Sequence, residues 1–85
     1  MSWLVRQKLG MASKEDRIKK KLGEHIKKVR KSKGYSQDRL YLEAGFSRGT
    51  MSRIESGKVN PTYLTLLKIA ETLGVPVKKL VDFEL

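Results

Sequence analysis

The chain of 85 residues has no cysteine, a single histidine, two prolines and only nine acidic residues. Without cysteine there is no disulfide, no thiolate metal site and no cysteine nucleophile, which fits a reducing cytosol. The lone His25 makes no zinc site by itself. Nine scattered acids and one histidine supply no nucleophile–base pair, and no glycine-rich phosphate cradle is present, so an enzyme is not expected. Neither a cofactor nor a metal is expected. No apolar run approaches the roughly 20 residues that span a bilayer. The stretch Ser2-Trp3-Leu4-Val5 is cut short by Arg6 and lacks a signal-peptide layout. A cytoplasmic protein with no membrane partner is the expectation.

What is abundant is positive charge. Nineteen Lys and Arg give a net charge of +10, and a balance of that sign attracts polyanions. The excess is uneven. Residues 1–33 hold twelve basic and three acidic residues, residues 34–60 four and three, and residues 61–85 three and three. Charge alone therefore points to the front of the chain.

The length allows one domain, with a core that is small but workable. Residues 1–13 show little periodicity and read as a flexible arm, in which Met11 is a candidate internal start. Residues 14–85 read as one all-α unit. Ser13 is a cap, after which Ile18, Leu22, Ile26 and Val29 form one apolar stripe on a helix that ends near Lys33 and Gly34. Ser36 caps a second helix over about 37–44, with Leu40, Tyr41 and Ala44 on one face and Gly45 as its stop. Ser47 caps a third over about 48–56, ended by Gly57. After the loop Lys58-Val59-Asn60-Pro61, Thr62 caps a fourth helix expected to turn Leu64, Leu67 and Ala70 inward, with Leu66 and Leu73 as further candidates. Pro76 suits the first turn of a short fifth helix through Leu80. Five helices, without strands or repeats, is the architecture expected.

Two short helices joined by a three-residue turn that contains glycine form the layout of a DNA-reading helix-turn-helix. At about 100° per residue, Met51 and Ile54 fall on one face of the third helix and anchor it. Arg48, Gly49, Ser52, Arg53 and Ser56 fall opposite, and all are polar or lack a side chain. Such a face can approach the floor of a major groove about 12 Å wide, where arginine bonds guanine O6 and N7 in bidentate fashion. Arg48, Ser52 and Arg53 are the candidate base readers. Backbone phosphates suit the amino ends of the second and third helices, making Ser36, Gln37, Ser47 and Thr50 candidates, with Lys58 and Asn60 in the following loop. The lysines at 19–21, 27 and 28 read first as a solvated face.

From Leu22 to Leu80 the chain resembles the phage-repressor and Cro-type helix-turn-helix family. The likeness is carried by Leu22-Gly23-Glu24, Ile26, Arg30, Gly34, Ser36-Gln37, Leu40 and Gly45-Phe46-Ser47-Arg48. It continues through Ser52-Arg53-Ile54-Glu55, Gly57, Asn60-Pro61, Leu66-Leu67, Ala70 and Leu73-Gly74-Val75. The resemblance implies a compact five-helix lambda-repressor-like domain, usually dimeric, that binds palindromic operators in double-stranded DNA. It further implies an interior ion pair between Arg30 and Glu55. A domain of this size also resembles the controller proteins of restriction-modification systems. Three positions depart from the family: Gly49 stands where relatives place a base-reading side chain, Tyr41 replaces a small residue, and Pro76 replaces a polar cap. Tyr41 implies either splayed helices or a ring turned outward.

The expected function is a sequence-specific regulator of transcription acting as a homodimer. The apolar excess of Val77, Leu80, Val81, Phe83 and Leu85 suggests the dimer surface. Rival readings are an antitoxin or adaptor with a protein partner, and a non-specific architectural DNA binder driven by net charge.

Overall fold

The computed structural model describes residues 13–85, so the expected arm lies outside the described residues except for Ser13. Five helices follow in order: α1 Lys14–Ser32, α2 Gln37–Ala44, α3 Arg48–Glu55, α4 Tyr63–Leu73 and α5 Val77–Val81. The described residues contain no strand.

Local chemistry explains the boundaries. Ser13, Ser36, Ser47 and Thr62 each sit in extended backbone before a helix and accept the N–H three residues on, at 3.0–3.2 Å. Each bond satisfies one of the donors that a helix start leaves unpaired. At the far end of α2, Gly45 adopts φ 82°, a left-handed conformation that side chains disfavour. The reversal lets the Phe46 N–H reach the Tyr41 carbonyl at 2.8 Å, which closes the helix and redirects the chain into α3. Pro76 precedes α5 as its cap instead of lying within the first turn, and Ser56 closes α3 as its C-cap.

The core draws on every helix. Ile26 and Val29 come from α1, Leu40 from α2, Met51 and Ile54 from α3, Leu66, Ile69, Ala70 and Leu73 from α4, and Leu80 from α5. Helix α1 packs on α3 and α5, α2 packs on α3 and α4, and α4 packs on α5. Burying one such aliphatic side chain contributes about 1.5–3 kcal/mol.

Three expectations change here. Leu64 is 68% exposed, whereas Ile69, absent from the expected inward set, is fully buried. The stripe of α4 that meets α2 and α5 therefore runs through 66, 69, 70 and 73. Leu80, expected on a dimer surface, is 0% exposed and fills the core. A five-residue helix has one inward position to offer, and Leu80 takes it between α1 and α4. Tyr41 is half-buried against the core.

Two glycines set how closely α1 crosses the end of α3. A Cβ on Gly23 would lie 2.7 Å from the Glu55 carbonyl oxygen and would also collide with that of Ile54. Gly57, at φ 76°, would place a Cβ 2.5 Å from the Lys20 Cα. Backbone meets backbone at both points.

Candidate nucleic-acid interface

Helix α3 divides into two faces. Met51 and Ile54 are 0% and 2% exposed, and Glu55 is 7% exposed. Arg48, Gly49, Ser52, Arg53 and Ser56 are all exposed. Apolar atoms at positions 51 and 54 fix the rotation of the helix about its axis, leaving the other positions facing water. Among the described residues, neither the Arg48 nor the Arg53 guanidinium is paired with a carboxylate.

Glu55 adds a polar anchor. Arg30 on α1 donates from Nε to Glu55 Oε2 at 2.6 Å and from Nη2 to Oε1 at 3.0 Å. Its Nη1 donates to the Tyr35 carbonyl at 2.8 Å. With both residues buried, the pair is a fork-to-fork contact of the strong, charge-assisted kind. This is the interior ion pair that the family resemblance implies. Gln37 also donates from Nε2 to Glu55 Oε1, at 3.1 Å. The amino end of α2 is thereby tied to the carboxyl end of α3. One amide hydrogen of Gln37 is spent inside the protein, a tertiary contact that the sequence pattern did not disclose.

Of the remaining candidates, Ser36 and Ser47 cap α2 and α3, Thr50 lies in the first turn of α3, and Lys58 and Asn60 follow that helix. Ser36 and Ser47 accept from the backbone N–H of Arg39 and Thr50, and the Ser47 and Thr50 hydroxyl oxygens lie 2.9 Å apart. Lys58 and Asn60 are exposed in the loop after α3, and Asn60 shares a shallow depression with Glu15, Ile18 and Lys19 of α1. Val81 is 49% exposed, while Val77 and Phe83 are partly covered. Two contacts hold the carboxyl-terminal segment: His25 Nε2 donates to the Lys79 carbonyl at 2.8 Å, and its ring centroid lies 5.3 Å from that of Phe83. His25 is thus structural, a role that its place beside the apolar stripe of α1 hinted at.

A second polar cluster flanks the start of α2. Arg39 donates from Nε to Glu43 Oε2 at 2.8 Å, and the Tyr35 hydroxyl donates to Glu43 Oε1 at 3.2 Å. The Arg39 guanidinium carbon sits 3.9 Å from the Tyr35 ring centroid. The hydrogen bond from Arg39 holds the Glu43 carboxyl below the usual glutamate range. The same bond raises the Arg39 guanidinium above its ordinary value.

Among the described residues there is no group of three or more metal-ligating side chains, and no helix is long and apolar enough to cross a membrane.

Comparison with known proteins agrees with this architecture. An HTH-type transcriptional regulator of Sinorhizobium fredii is 36% identical over 64 residues, covering 75% of this chain and 83% of the relative. Other curated relatives are longer, and the chain spans 49% and 42% of two Bacillus subtilis regulators. The restriction-modification controller protein C.AhdI from Aeromonas hydrophila superposes with a TM-score of 0.69 at 30% identity, covering 72% of this chain and 92% of that one. The biofilm master regulator SinR, solved in complex with DNA, gives 0.66 at 39% identity, covering 72% and 98%. A helix-turn-helix family model matches residues 26–80. The chain belongs to the helix-turn-helix family of transcriptional regulators.

Proposed function

We propose that the protein binds specific sites in double-stranded DNA, with α3 in the major groove, and acts as a homodimer on a pseudo-palindromic operator. The observation that carries this reading is the two-faced α3, which buries Met51, Ile54 and Glu55 and exposes two unpaired arginines among small residues. Arg48, Ser52 and Arg53 read base edges. Arginine offers a planar fork matched to guanine O6 and N7, while serine is short enough to let the helix approach.

Phosphates are held from the rim. The amino ends of α2 and α3 point free N–H groups and partial positive charge at the backbone. Ser36 uses its oxygen as a cap and keeps its hydroxyl hydrogen to donate, while Ser47 and Thr50, whose hydroxyls bond each other at 2.9 Å, have one free hydroxyl hydrogen between them. Gln37, Thr50, Lys58 and Asn60 complete the set. Gln37 retains a second amide hydrogen for this task after donating to Glu55. The structure of the relative SinR with DNA supports the same class of ligand.

A two-fold pair presents two α3 helices to successive major grooves about 34 Å apart. Its contact is built from Val77, Val81 and Phe83, with Leu85, which is 60% exposed.

Selection from a random duplex pool tests the whole reading. The expected product is a palindromic consensus, and Arg48→Ala should then cost about 1–3 kcal/mol and relax the preference at one base pair. A pool that shows no enriched sequence refutes specificity. An Arg48→Ala protein that binds like the parent refutes the assigned surface.

A further inference from the structure

Gly49 has no structural reason to be glycine. It lies within α3, where glycine weakens a helix relative to alanine. Its φ is not in the left-handed region, unlike that of Gly34, Gly45, Gly57 and Gly74. No other helix crowds it either. A Cβ built at Gly23 would strike backbone, whereas for one built at Gly49 the three nearest atoms beyond its own stretch of helix backbone all belong to the Arg53 guanidinium. Arg53 Nη1 would lie 3.1 Å from that Cβ, with Cζ at 3.8 Å and Nη2 at 3.9 Å. The Arg53 side chain thus runs back along the exposed face toward the amino end of α3, as helical side chains tend to do, and rests over the bare backbone of residue 49.

We propose that Gly49 is a specificity-determining position that acts through Arg53: the missing side chain leaves a seat for the guanidinium, which reads a guanine from there. The inference rests on α3 being the base-reading helix. In the free protein the seat is dispensable, because the far end of Arg53 can swing aside from an added methyl group. Against DNA the guanidinium is fixed between residue 49 and the guanine O6 and N7 atoms, and a bidentate contact tolerates little displacement. Crowding therefore appears in the complex and not in the fold.

The experiment uses the full chain and the duplex enriched by the parent protein, together with single base-pair variants of that duplex. Parent, Gly49→Ala, Arg53→Ala and the double variant are compared by binding titration and thermal unfolding. Gly49→Ala should unfold at or above the parental temperature yet bind about tenfold more weakly, equivalent to about 1.4 kcal/mol. Its lost discrimination should fall at the base pair where Arg53→Ala loses its own. The double variant should bind no more weakly than Arg53→Ala alone, because no guanidinium is left to displace. Parental affinity and discrimination in Gly49→Ala would overturn the proposal and leave the α3 reading intact. So would a double variant with two additive losses, since the glycine would then act on DNA without Arg53. Parental binding by Arg53→Ala would overturn Arg53 as a base reader, and this proposal with it.

Discussion

Removing the Glu55 carboxylate is the severest single test of how α3 is held. In Glu55→Ala, Arg30 keeps its charge at 6% exposure but loses both bonds of the fork, retaining the Tyr35 carbonyl at 2.8 Å. Gln37 loses its acceptor as well. Stripping one partner from a buried pair costs about 3–5 kcal/mol, against about 1 kcal/mol for an ordinary substitution. Domains are stable by about 5–15 kcal/mol in total, so much of the margin goes. Urea unfolding followed by far-ultraviolet circular dichroism is the suitable assay, because it reports on the helices directly. With a slope of about 1 kcal/mol per molar for so short a chain, a loss of about 3 kcal/mol lowers the midpoint by about 3 M. The double replacement Arg30→Met with Glu55→Leu removes both charges from the interior and should recover most of that loss. A midpoint lowered by less than about 0.5 M in Glu55→Ala would refute the reasoning. So would a double variant as unstable as the single one.

Other expected outcomes follow from separate contacts. Gly23→Ala gains helix propensity, but its Cβ meets the Glu55 carbonyl at 2.7 Å; overpacking of about 1–3 kcal/mol should prevail, seen as a lower melting temperature, and an unchanged melt would contradict so close a crossing. The Glu43 carboxyl should titrate below ordinary glutamate in an NMR titration and return toward it in Arg39→Ala, since the hydrogen bond from Arg39 is the leading cause of its depression. Because the folded-state value is the lower one, the contact favours folding above the unfolded-state value and loses that effect as pH falls through the folded-state one. Lys58→Ala should weaken binding to all duplexes alike and reduce the slope of log affinity against log salt by about 1; a loss confined to one sequence would make Lys58 a base reader instead.

The sequence revealed most of the frame because caps and stops are local chemistry. Ser36, Gly45 and Ser47 each act within a few residues of themselves, and the helix-turn-helix they delimit has the expected bounds to within a residue. The phase of α4 was harder to read. Leu64, Leu66, Leu67, Ile69, Ala70 and Leu73 offer several stripes of similar apolarity, and only packing against α2 and α5 selects among them. Leu80 misled for a related reason: an apolar surplus near the chain end looks alike whether it covers a neighbour or fills a core. Gln37 bonding to Glu55, eighteen positions away, leaves no trace in a helical period. Neither does the guanidinium of Arg53 over Gly49, although an interior glycine on an otherwise regular helix was the cue available.

The close crossing of α1 over the end of α3 bears on how such a protein changes its target. Clamped through Gly23, Gly57 and the Arg30–Glu55 fork, the helix is denied rotation about its own axis. Residues 48, 49, 52 and 53 lie on its exposed side, away from buried Met51, Ile54 and Glu55, so exchanges there leave the clamp in place. On the proposed reading of α3, new target preferences need only a handful of substitutions on one side of eight residues.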